Sequence, residues 1–149
     1  MQFNIPEPMN LEHQELHHDL SLAVEAGGEV GAAAQRVAEA LHVHFENEEK
    51  FALPPLGLLP ALARGDVSPE MAEVLKMTDT LEAELPEMLA EHQIIVAALH
   101  QLVAAARQED RPEFIHFAER LTLHAQTEEQ VSYPTTILIG KYLKLALAV

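Results

Sequence analysis

The chain has 149 residues, 48% of them apolar, enough for one domain with a real core and too many for intrinsic disorder. Asp and Glu number 24 against 9 Lys and Arg, a formal charge of −15. That balance excludes a nucleic-acid binder, which needs a basic face to neutralise phosphates, and equally a binder of anionic lipid surfaces. There is no cysteine, so disulfides, thiolate metal sites and thiol nucleophiles are ruled out. Histidine is the excess: nine residues, with no consecutive run that would mark a tag.

Residues 1–10 have neither a basic start nor an apolar run, so no secretory signal is expected. The stretches Phe51–Ala63 and Tyr133–Val149 are too short or too interrupted to span a bilayer. The expected location is the cytoplasm.

Ala, Leu, Glu and Gln dominate and β-branched runs are scarce, which predicts an all-α chain. A first helix is expected from about Asn10, as N-cap, to Ala26, ended by Gly27-Gly28. A second runs from about Glu29 to Ala52 and stops at Pro54-Pro55. Gly57, Pro60, Gly65 and Pro69 punctuate a connection with one or two short helical turns, and Ser68-Pro69 has the form of a helix start. A third helix covers roughly Thr78–Arg107, with Pro86 expected to kink or restart it. A fourth spans about Arg111–Ser132 and stops at Pro134. The tail, 135–149, reads as a short amphipathic helix too apolar to stand free, so it caps the bundle or makes a homodimer contact. Four long helices with modest connections favour an up-down-up-down four-helix bundle, a single domain over 1–149.

The chain repeats internally. Glu12-His13-Gln14 recurs 79 residues on as Glu91-His92-Gln93. The segment from Leu41, with His44, Glu48 and Glu49, recurs 80 residues on from Leu121, with His124, Glu128 and Glu129. Pro54 and Pro134 keep the same offset. Two helix pairs, about 10–54 and 78–134, therefore each carry EHQ on one helix and HxxxEE on the next.

Residues i and i+4 of a helix lie about 40° apart around the axis and about 6 Å apart along it. His44 with Glu48, and His124 with Glu128, thus point the same way. Two such pairs facing one another offer two bridging carboxylates and two terminal imidazoles, and His13 and His92 complete one imidazole per helix. Four His and two Glu make the ligand set of a dinuclear metal site. Nitrogen and oxygen donors without sulfur suit iron, with manganese or zinc as alternatives, and disfavour copper(I).

With these residues in place, the chain resembles the hemerythrin-like (HHE cation-binding) family over about Leu11–Pro134. The resemblance implies a four-helix bundle around a non-haem di-iron centre with carboxylate bridges, its ligands carried over by position to His13, His44, Glu48, His92, His124 and Glu128. Oxygen-carrying members place a second His one turn along the third helix, where this chain has Val96. The first helix instead carries an additional His17, four residues after His13, which the pseudo-symmetry would place on the other iron. The carriers' bridging Asp lies five residues after the fourth-helix His. Here Glu128 at i+4 is the natural choice and Glu129 at i+5 the fallback.

Other residues receive plainer readings. His18 and His42 are expected at the surface, and His100 and His116 partly buried. Glu12 and Glu91 either hold ligand imidazoles from behind or lie on a solvated acidic face, the latter preferred. Glu49 and Glu129 are expected to face solvent. Tyr133 is either a phenol near the site or packing at a helix end, the latter preferred because it lies well round the helix from His124, and Met77, Met88, Phe45, Phe51 and Leu53 are expected to fill core.

The leading expectation is a protein that binds O₂, NO or peroxide for sensing, storage or protection, read out by a signalling or redox partner. The alternatives are a di-iron oxidoreductase that reduces peroxide or NO or releases iron for cluster repair, and a bundle whose metal is structural.

Overall fold

A computed structural model describes all residues 1–149. The chain is all-helical, with no strand, and its long helices form a bundle. Helix α1 spans Glu7–Glu25, α2 Gly28–Asn47, the short α3 Leu59–Ala63, α4 Leu75–Gln108, α5 Pro112–Thr127 and α6 Tyr133–Leu147. Two 3₁₀ turns, Pro54–Leu58 and Pro69–Val74, flank α3 in the proline-rich connection.

Several boundaries differ from expectation. Helix α1 begins at Glu7, with Pro6 at the N-cap and Pro8 in the first turn, not at Asn10, because a proline in the first turn loses no helical hydrogen bond. Between α1 and α2, Gly27 and Gly28 have φ of 70° and 61°, the left-handed conformation that glycine adopts without steric cost. The first amides of α2 are capped from a distance: Glu29 and Val30 donate to the Glu109 carboxylate at 3.0 and 3.4 Å.

Helix α4 runs through Pro86 for 34 residues without restarting. An interior proline costs about 3 kcal/mol. Here Leu81 and Met88, on either side of it, are fully buried against Ala52 and Tyr133, and that packing holds the flanking turns. The stretch Pro69–Gln108 is also long and apolar enough to cross a membrane, with an 18-residue window of mean hydropathy 1.3, a test that the core helix of a helical bundle passes as well.

Pro134 does not stop the fourth helix. The chain passes from α5 through a π-helical turn, Glu128–Ser132, directly into α6, where Pro134 occupies the first turn. The equivalent place after α2, Glu48–Ala52, is also π-helical. Each wide turn opens at one of the paired glutamates, and turns of this kind recur at functional sites.

The core has distinct clusters. The largest joins Leu16, Leu20, Val37, Leu41, Phe45, Ile95, Leu99, Phe117 and Leu121 from α1, α2, α4 and α5. A second joins Leu53, Leu56, Leu58, Met71 and Val74 of the connection to Ile139 and Leu143 of α6, so the apolar tail covers the segment that links the repeats. Contact there is close: a Cβ on Gly140 would lie 2.3 Å from Thr78 Oγ1.

Candidate metal centre

Each of the four candidate imidazoles sits one turn from a residue of the large cluster: His13 from Leu16, His44 from Leu41, His92 from Ile95 and His124 from Leu121. The four rings therefore share one level of the bundle. His13, His44 and His92 are buried to within 3% of full occlusion, and Glu48 and Glu128 retain 0% and 3% exposure.

These six side chains form two overlapping groups. His13, His124, Glu48 and Glu128 have one ligand atom each within 4.8 Å of one another, and so do His44, His92, Glu48 and Glu128. Both carboxylates belong to both groups. His44 Nε2 lies 3.0 Å from Glu48, while His92 and His124 Nε2 each lie 3.2 Å from Glu128. Yet His13 Nε2, both oxygens of Glu48, His124 Nε2 and Glu128 Oε2 are buried without a hydrogen bond. Five orphaned donor atoms turned toward one another would each cost about 1–3 kcal/mol unless something binds them. The set is rich in lone pairs and contains no sulfur, which fits one or two divalent cations of borderline or hard character. Two cations between two carboxylates would also offset the desolvation of buried charge.

The outward nitrogens are as ordered as the inward ones. His44 Nδ1 donates to Glu91 at 3.0 Å, His92 Nδ1 to Glu129 at 2.9 Å, His13 Nδ1 to Glu49 at a long 3.5 Å, and His124 Nδ1 to Glu12. A proton fixed on Nδ1 leaves the Nε2 lone pair facing inward, the usual support for a metal-bound imidazole. The pattern follows the repeat: Glu49 and Glu129 serve His13 and His92 within their own halves, while Glu12 and Glu91 serve His124 and His44 across the halves. Glu12, Glu49 and Glu129 make these bonds while staying exposed, as expected of them, and Glu91 is half-buried. The π turn Glu128–Ser132 adds a residue that shifts the following helical face by about 100° relative to an ideal α-helix.

The same turn brings in Tyr133. Its hydroxyl lies 3.3 Å from Nε2 of both His44 and His92, its ring stacks on His92 at 5.7 Å and 22°, and none of it reaches solvent. On an unbroken α-helix it would face away from His124, which is why the sequence favours packing at a helix end over a phenol near the site.

Burial, acting first, and the neighbouring Glu48 charge push the phenol's pKa well up. Burial pushes His13 below the ordinary imidazole value, against the pull of Glu48, and likewise His92, against its bond to Glu129. Burial also draws His44 down, but the carboxylates of Glu48 and Glu91 outweigh it and hold that ring above the ordinary value.

His17 is not brought to the cluster. It is exposed and meets the edge of Phe45 at 5.0 Å. Phe45 stacks on His13 at 4.3 Å and takes the volume through which the His17 ring would have to pass. His18 and His42 are exposed as expected; His100 and His116 are exposed too, not partly buried, since two turns along an α-helix they have rotated off the bundle-facing stripe. Met88 and Leu53 are buried, and Phe51 and Met77 are half-buried.

The two groups differ in access. The His44 group is wholly buried, whereas His124 retains 11% side-chain exposure and borders an opening of about 370 Å³ that Glu12, Glu15, Arg120 and Thr127 also line. Comparison with known proteins finds no matching family model, no matching curated protein and no matching solved structure.

Proposed function

We propose that the chain is a hemerythrin-like, non-haem di-iron protein that binds O₂, NO or peroxide for sensing, storage or protection. One observation carries the reading: two buried His₂Glu₂ groups share both of their carboxylates. Shared carboxylates are what a pair of bridged metal ions requires, and a single structural ion would leave one of the groups without a purpose.

An up-down-up-down arrangement is part of the proposal. The buried cluster residue follows the ligand His in α1 and α4 and precedes it in α2 and α5, as alternating helix directions require. His13 and His124 would hold one iron, His44 and His92 the other, and Glu48 and Glu128 both. Iron in that setting supplies electrons and an open coordination position to a small ligand.

The protein's own residues do the rest. Glu12, Glu49, Glu91 and Glu129 hold the Nδ1 protons and fix the ring orientations. Leu41, Phe45, Ile95 and Leu121 exclude water from one side of the site and Leu81, Met88 and Tyr133 from the other. A small ligand would approach by the opening beside His124, the most exposed imidazole of the four.

Anaerobic reconstitution with Fe(II), followed by titration with NO, tests the reading. A saturable optical change at about one NO per chain is expected; no change in a chain that holds two iron would contradict ligand binding. Repeated turnover of added peroxide would move the assignment to the oxidoreductase alternative.

A further inference from the structure

We propose that the Tyr133 phenol oxygen is a ligand of the metal held by His44 and His92, which makes the two metal positions chemically different. The inference rests on the dinuclear reading above and adds a donor to it.

Donor atoms bound to one ion at about 2.1 Å lie roughly 3.0–3.4 Å from their neighbours, whether the ion is octahedral or tetrahedral. Tyr133 Oη stands 3.3 Å from Nε2 of His44 and 3.3 Å from Nε2 of His92. It therefore already occupies the place of a third donor to the ion those two rings would hold. The ring has little freedom to leave: it is fully buried, stacks on His92 and packs against Ala52, Leu81 and Met88. A buried phenol needs a polar partner, and the hydroxyl's hydrogen-bond partners are these two imidazoles.

The repeat makes the assignment specific to one position. The residue that corresponds to Tyr133 in the first half is Leu53, which is buried and offers no donor. Conversely, Phe45 stacks on His13, whereas its counterpart Ala125 carries no ring. The His44 position thus has five donors, His44, His92, Glu48, Glu128 and Tyr133, while the His13 position has four, one of them His124, whose ring reaches the opening that Glu12 and Arg120 also line. The external ligand would bind at the His13 position. When Tyr133 binds the ion, its phenol proton leaves to solvent and the oxygen bonds to the metal as phenolate; no electron is transferred in that exchange.

Tyr133 and Tyr142 are the chain's only tyrosines, which makes the test clean. The full chain is loaded with Fe(II), oxidised in air and examined by visible absorption and resonance Raman, with iron counted in parallel. A phenolate-to-Fe(III) charge-transfer band with tyrosinate ring modes is expected. It should vanish in Tyr133→Phe while two iron per chain remain, and persist in Tyr142→Phe. A wild-type chain that holds two Fe(III) without the band, or a band that survives in Tyr133→Phe, overturns the assignment and leaves the dinuclear reading standing. A chain that takes up no iron overturns both.

Discussion

Glu48 and Glu128, eighty residues apart in the chain, present carboxylate oxygens within 4.8 Å of one another at the centre of the bundle, and each belongs to both His₂Glu₂ groups. Two anions this close and this buried repel and are poorly solvated. Their juxtaposition is hard to account for by packing alone, and the orphaned donor atoms around them point to a cationic partner.

Because Glu48 serves both groups, Glu48→Ala should cost the chain both ions, not one. Elemental analysis after iron loading and gel filtration should read below one iron per chain. Two iron retained in this variant would show that Glu48 is not a bridge.

Removing an outward partner should weaken metal binding without abolishing it. Glu91→Ala frees the His44 ring and Glu129→Ala the His92 ring, and each should lower affinity about 10–100-fold in a chelator competition. Glu46→Ala is the control, since Glu46 pairs only with the exposed His42 and should change nothing.

His17 lies outside the cluster, exposed against the edge of Phe45. His17→Ala should therefore keep the wild-type iron count. Loss of one iron in that variant would show that the loaded protein rearranges around Phe45.

The tail packs on α4 through Gly140. Gly140→Ala should destabilise by about 1–3 kcal/mol, because the new methyl meets the Thr78 side chain. Thr78→Ala should restore part of the loss in the double variant, measured by denaturant unfolding. Full additivity of the two changes would contradict the contact.

Much of this architecture was legible from the repeat. His13, His44, His92 and His124 stand at matched offsets with Glu48 and Glu128, and the structure brings those six together. Glycine chemistry correctly marked the α1–α2 turn at Gly27-Gly28. The misreading of Tyr133 has a single cause. Helical-wheel reasoning assumes 3.6 residues per turn, and both HxxxEE segments run into π turns that break that period. Tyr133 lies just after the second of those turns, so its face departs from the one an ideal α-helix gives it. His17 failed for another reason: its spacing from His13 was right, but the bulk of Phe45, 28 residues away in sequence, fills the space between.

Metal should also stabilise the fold measurably. An ion present at 100 times its Kd contributes about 2.7 kcal/mol, which for a domain of this size raises Tm by roughly 5–10 °C. The most direct test of the proposed dinuclear centre is the metal count itself: wild-type chain loaded with Fe(II), freed of unbound metal and analysed for iron and protein together. The shared carboxylates predict two iron per chain with the accompanying rise in Tm, and a chain that holds none and melts unchanged would contradict the account.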